Sequence, residues 1–177
     1  MTRAQLEHLI RAAATIAADD DIVVIGSQAI LGQFPDAPRA LLVSVEADLY
    51  PRNRPERWDL IDASLGELSP FHETFGYYAQ GVDQSTATLP AGWPDRLVPL
   101  RSPGTRGATG WCLEIHDLIV SKLVAGRDKD LAFVAEAVRH GLAAKDVLLE
   151  RLAATPIDAE TRDLVSSRIV RAFAGTP

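Results

Sequence analysis

The chain has one cysteine, Cys112, among its 177 residues. A lone thiol closes no internal disulfide, and a structural zinc site needs more ligands than Cys112 has near it in sequence. No apolar run approaches the roughly 18 residues that a membrane-spanning helix requires. The N-terminal stretch is amphipathic and ends in Asp19-Asp20-Asp21. It has no secretory apolar region or cleavage site, so a cytoplasmic protein with no membrane partner is expected. Net positive charge is also missing, since the formal charge is -6. Proteins that grip duplexes mainly through phosphates are usually basic, so broad duplex binding is not expected. Basic residues do gather locally. Arg96, Arg101, Arg106, Lys122, Arg127 and Lys129 face only Glu114, Asp117 and Asp128 in the segment 96–129, an excess of three cations.

Enough apolar surface is present to support a packed core, with 47% hydrophobic and 24% charged residues. Thr2 and Gln5 form a capping-box pattern, and Leu6, Leu9, Ile10 and Ala13 recur at helical spacing to about residue 18. The β-branched run Ile22–Ile25 predicts a buried strand. Gly26-Ser27 follows, then a short helix closed by Gly32. Residues 41–50 read as a second strand stopped by Pro51, and 55–65 as a helix. Ser69-Pro70 starts a brief helix that Gly76 ends. Residues 77–89 read as a hairpin around residues 81–84, and 96–100 and 111–113 as short strands.

From Glu114 onward the period is helical, broken at Thr155-Pro156. Strands early and helices late predict an α+β fold, with a mixed sheet from the strands near 22–26, 41–49 and 77–100. The expected division is an α+β core over 1–113 with a helical part over 114–177 packed on it, the two forming one domain or two.

Four constellations are candidates for chemistry. Gly26-Ser27, between a strand and a helix, allows close backbone approach and offers N–H groups to an anion; Ser27 as a plain N-cap is the alternative. Glu46 and Asp48, at i and i+2 of a strand, project on one face, where a divalent cation relieves their repulsion; a solvated strand face is the alternative. Lys122 sits in an apolar helical stripe, followed by Arg127, Asp128, Lys129 and Asp130. These are either phosphate-binding cations with an added carboxylate, or a helical ion pair of Arg127 with Asp130. The stretch 68–78 holds His72, a candidate base, amid residues more typical of core and rim.

Gly26-Ser27 after a strand, with Glu46 and Asp48 on the next, resembles the active-site pattern of polymerase-beta-like nucleotidyltransferases. The segment Asp117…Lys122-Leu123…Arg127…Asp130 resembles the matching helical region of AbiEii-type nucleotidyltransferases of toxin–antitoxin systems. Residues 69–73 and 77–81 are similar to a bacterial family of nucleotidyltransferase-like proteins, and the likeness spans about residues 20–142.

The resemblance implies a nucleotidyltransferase-like mixed sheet and transfer of a nucleotidyl group from a nucleoside triphosphate to an acceptor hydroxyl with Mg2+. Gly26 and Ser27 would contact the triphosphate, and Glu46 and Asp48 would hold the metal. Lys122 and Asp130 would complete the site, with Lys122 and Arg127 on the phosphates. RNA, including a tRNA end, is the acceptor that the toxin resemblance implies, and an antitoxin protein the partner. Two departures stand out: the acidic pair reads Glu46-x-Asp48 where Asp-x-Asp is usual, and no third carboxylate is evident in the later strands. They support a rival expectation of a noncatalytic nucleotide- or partner-binding regulatory protein with the same fold.

Overall fold

The capping box at the N-terminus forms as its sequence requires. In the computed structural model, which describes residues 1–174, Thr2 Oγ1 accepts from the Gln5 amide and Gln5 Oε1 accepts from the Thr2 amide. Helix α1 (Arg3–Ala17) buries Leu6, Leu9, Ile10, Ala13 and Ala17. Strand β1 (Asp21–Val24) follows, then a 3-10 turn over Ser27–Ala29 and a single helical turn, α2 (Ile30–Gln33). Strand β2 (Glu46–Pro51) leads to α3 (Trp58–Leu65) and α4 (Pro70–Phe75). Next come β3 (Tyr78–Gly81), β4 (Val98–Leu100) and β5 (Thr109–Cys112). Helices α5 (Ile115–Ala125), α6 (Asp128–Arg139), α7 (Lys145–Ala153) and α8 (Ala159–Ala174) complete the described chain.

The fold is α+β, with a five-stranded mixed sheet in the order β3-β2-β1-β5-β4. β1 lies antiparallel to β2 and parallel to β5; β2 runs parallel to β3, and β4 antiparallel to β5. α1 and α3 pack together on one face. Their approach is close: a Cβ at Gly81 of β3 would lie 2.0 Å from the Trp58 carbonyl oxygen of α3, so only glycine is accommodated. Residues of β2 and β3 at the alternate positions, Glu46, Asp48 and Gln80, face a cleft whose far wall is built by α5 and α6. One continuous hydrophobic core joins α1, the sheet and the four C-terminal helices, with Leu148, Leu152, Val165 and Ile169 of α7 and α8 included.

Two sequence expectations are corrected. The strand expected over 41–50 begins only at Glu46. Arg39–Leu41 is a 3-10 turn, and residues 42–45 form an open lip on which Val43 is 80% exposed. The four-residue β1 pairs with Leu49–Pro51, so Val43 has no strand to lie against and Val45 meets β3 only through its carbonyl, which accepts from the Tyr78 amide at 3.1 Å. The hairpin expected over 77–89 does not form. Tyr78–Gly81 pairs parallel to β2, in register Glu46 with Tyr78 and Asp48 with Gln80. The chain then leaves the sheet at a 3-10 turn capped by Asp83, whose carboxylate accepts from the Ser85 amide. The turn residues were legible, but the pairing partner lies some thirty residues upstream.

A buried ion pair ties the β4 approach to the helices. Arg96 donates to both oxygens of Asp117 on α5, at 2.8 and 3.0 Å, and Arg151 of α7 stands 3.4 Å from the same carboxylate. Asp117 is fully buried, so removing a partner leaves charge uncompensated. Arg96→Met is expected to lower stability by about 2–3 kcal/mol, the lower end for a buried pair because Arg151 remains. Arg101→Met, on an exposed arginine, is expected to change it by less than about 0.5 kcal/mol. Urea denaturation of the two variants checks both.

Candidate functional site

A cleft of about 770 Å³ opens between the β2–β3 side of the sheet and α5–α6. Its floor is the Gly26-Ser27 turn. β1 ends at Val24, the Ile25 amide donates to the Asp48 carbonyl at 3.1 Å, and Gly26 caps the short turn that begins at Ser27. The plain N-cap role considered for Ser27 therefore belongs to Gly26. Ser27, half-buried, lines the cleft. Gly26 has an ordinary φ of -82°, so backbone freedom is not why glycine stands there. A Cβ at this position would lie 1.8 Å from Asp48 Oδ2. The glycine is the hollow into which the Asp48 carboxylate leans.

Glu46 and Asp48 both line the cleft, while Ala47 and Leu49 between and after them are buried in the core. Burial, and next the charge of Glu46 and hydrogen bonding to it, push Asp48 from 3.8 to about 7. Glu46 is fixed from the neighbouring strand, since Tyr78 donates its hydroxyl to Glu46 Oε2 at 2.9 Å. Burial and that bond raise the Tyr78 hydroxyl to about 12, so it stays a donor. His72 is not in the cleft. Its ring packs on Tyr78 at 4.6 Å and its Nδ1 accepts from the Leu68 amide, because α4 sits outside the β3 edge. It supports the tyrosine that holds Glu46.

The opposite wall carries the cations. Lys122 Nζ donates to Asp130 Oδ1 at 3.1 Å and lies 4.7 Å from the centre of the Phe133 ring. Arg127 donates to Asp130 Oδ2 at 2.6 Å. Asp130 is fully buried rather than at the rim, because the first turn of α6 points it inward beneath these two cations. Burial works against its charge, but Arg127 and Lys122 outweigh it and hold the carboxyl below its usual range. Lys122 is lowered by its own burial, and Asp130 and then Asp48 partly offset this. The Arg127 side chain is 64% exposed and Lys129 is exposed beside it, so both reach solvent at the mouth.

The six cations of segment 96–129 do not form one surface. Arg96 is locked on Asp117, Lys122 and Arg127 share Asp130, and Arg106 borders a separate hollow beside Arg11. Three features escaped sequence reasoning. Tyr78 and Gln80 enter only through their cross-strand register with Glu46 and Asp48. Glu136 lines the cleft from the third turn of α6, and its seven-residue spacing from Lys129 was its one visible sign.

The donor set suits a hard cation. Among the described residues no group of three or more His, Cys, Asp and Glu is placed to hold a metal. Gln80, opposite Asp48, is a neutral amide. Two carboxylate oxygens with open positions beside them match a Mg2+ ion that keeps waters or phosphate oxygens in its shell. A carboxylate pair on one wall, cations on the other and Gly26 between them line this cleft.

A family model described as "Nucleotidyltransferase of unknown function (DUF6036)" matches residues 4–174. The chain belongs to this nucleotidyltransferase family. The match takes in β1, β2 and both walls of the cleft, so the family and the geometry fall on the same residues. No curated protein and no solved structure matches this DUF6036 chain significantly. No helix among the described residues is long and apolar enough to cross a membrane.

Two outcomes follow for this member of the family. Gly26→Ala drives a methyl group into the space of the Asp48 carboxylate. It is expected to weaken binding of a Mg2+-triphosphate by about tenfold or more, roughly 1.4 kcal/mol, with an unchanged circular dichroism spectrum. The second outcome concerns pH. Asp48 titrates higher in the folded protein than its usual 3.8, so the folded state favours the protonated form. That stabilisation is complete below the usual value and is lost as pH rises through about 7. The metal-free protein should therefore lose thermal stability between pH 5 and pH 8, and Asp48→Asn should flatten the fall. A fall of the same size in the variant would contradict the assignment.

Proposed function

We propose that this chain transfers a nucleotidyl group from a nucleoside triphosphate to an acceptor hydroxyl, with Mg2+ held by Glu46 and Asp48. The observation that carries the reading is the facing of that carboxylate pair, over Gly26, with Lys122 and Arg127 across one cleft. Membership of a nucleotidyltransferase family supports it. Bound Mg2+ would supply charge neutralisation on the phosphates and a lowered pKa at the attacking hydroxyl.

The protein's own groups do the rest. The Ser27 turn offers N–H groups and a hydroxyl to the phosphate chain. Lys122 and Arg127 exchange part of their contact with Asp130 for phosphate oxygens, and offset the charge that develops on the leaving pyrophosphate. Asp130 holds both cations in place when no phosphate is present. Tyr78 fixes the longer Glu46 side chain, so a glutamate serves where an aspartate is usual. The acceptor hydroxyl gives up its proton to solvent, its oxygen attacks the α-phosphorus in line, and the bond to pyrophosphate breaks.

The likeness to AbiEii-type enzymes leads us to propose RNA, tRNA ends included, as acceptor, and the toxin role of a toxin–antitoxin pair with an antitoxin protein as partner. Lys129, which lines the cleft, is an exposed cation available to such an acceptor. A second reading, a noncatalytic nucleotide-binding regulator, is favoured by one observation: the neutral Gln80 stands in cross-strand register with Asp48, where a further carboxylate would complete the acidic set.

The deciding experiment supplies Mg2+, each α-labelled nucleoside triphosphate and total RNA. Label is expected in RNA with the native chain and absent with Asp48→Asn. Lys122→Met keeps the stem and removes the charge, and is expected to slow transfer by about a hundredfold, near 2.7 kcal/mol. Calorimetric binding without incorporation would support the regulator.

A further inference from the structure

The phosphate chain accounts for only one end of the cleft. α6 runs along its length and presents Lys129, Ala132, Phe133 and Glu136 to it, at positions i, i+3, i+4 and i+7. Lys129 and Arg127 mark the end that faces Asp48. Glu136 lies about 10 Å further along the helix axis at 1.5 Å per residue. Between the two the lining is apolar: Ala132 and Phe133 on α6, and Leu41 and Val43 on the lip that precedes β2. Val43 is 80% exposed although it borders the cleft, so its apolar side chain is uncovered there.

A flat, apolar-faced group carried beyond the phosphates would cover that surface. The far end is then closed by a carboxylate. Arg139 grips Glu136 through both oxygens, at 3.3 and 2.5 Å, which fixes its orientation and leaves lone pairs on each oxygen.

We propose that this end of the cleft is a nucleobase subsite, with the base against Val43 and Phe133 and its hydrogen-bonding edge on Glu136, and that it selects guanine. The inference rests on the triphosphate reading above. An ionised carboxylate only accepts, and so it needs a base edge with adjacent N–H donors. Guanine offers two side by side on its pairing edge, the ring N1–H and the exocyclic amine. Adenine and cytosine each offer one donor next to an acceptor nitrogen that the carboxylate repels. Uracil and thymine flank their single N–H with two carbonyl oxygens. A carboxylate set against an acceptor atom of the wrong base repels it, and that repulsion makes such a site reject the wrong ligand. Arg139 is a positioning residue in this arrangement and touches no ligand.

The test is calorimetric titration of the native chain with GTP, ATP, CTP and UTP, each with Mg2+, and the same titrations on Glu136→Gln and Val43→Asp. The native chain should bind GTP at least about tenfold more tightly than the other three, a 1.4 kcal/mol margin. Glu136→Gln should bring GTP to the level of the others while their affinities stay as they were. That pattern separates lost base reading from general damage. Val43→Asp should weaken all four. Equal binding of the four nucleotides, or a preference for GTP that survives Glu136→Gln, overturns the base subsite and leaves the triphosphate reading standing. No binding of any nucleotide overturns both.

Discussion

Two carboxylates that face one another's charge in a half-buried cleft set the terms for the rest of this protein. Asp48 can lean into its position only because Gly26 has no side chain, and burial, then Glu46, oppose its ionisation and raise its carboxyl to about 7. Each surrounding element answers that constraint. β3 supplies the Tyr78 hydroxyl that holds Glu46, and α4 supplies the ring that packs on Tyr78. α5 and α6 supply the opposite charge, restrained by the buried Asp130 so that it does not collapse onto the pair. Two ionised carboxylates this close repel, and the raised Asp48 carboxyl is the protein's own relief of that repulsion.

The same arrangement separates what holds the fold from what serves the site, although both use buried ions. Asp117 is gripped by Arg96 and flanked by Arg151, away from the cleft, and ties β4 to α5 and α7. Asp130 is equally buried, but its partners border the cleft and one of them reaches solvent. A carboxylate whose cations can be borrowed by a phosphate behaves differently from one whose cations have nowhere else to go. In the proposed function the first lends its cations to a ligand; the second is a structural fastening whose loss leaves an unpaired charge in the interior.

Much of this was readable from the residues. The capping box at Thr2 and Gln5, the β-branched run of β1 and the helical stripes after Glu114 rest on local chemistry, and each formed. The α+β order followed from where the period changes. The shared face of Glu46 and Asp48 followed from strand geometry alone. What was not readable is non-local. Nothing near Tyr78 says that β3 pairs with β2 rather than folding back on itself, so Tyr78 and Gln80 could not be placed beside the acids. The β-branched residues of the lip imitate a strand, yet no partner strand extends that far. Arg96 counted toward a basic surface because its partner Asp117 lies on another element, reached only after the fold closes.

In the proposed function the Asp48 proton and a metal-bound triphosphate compete for one place. Calorimetry of Mg2+-triphosphate binding at pH 6, in two buffers of different ionisation enthalpy, reads the protons released per ligand bound. The account predicts release of a proton by the native chain, lost in Asp48→Asn. Binding with no proton release, or release that persists unchanged in Asp48→Asn, would contradict it.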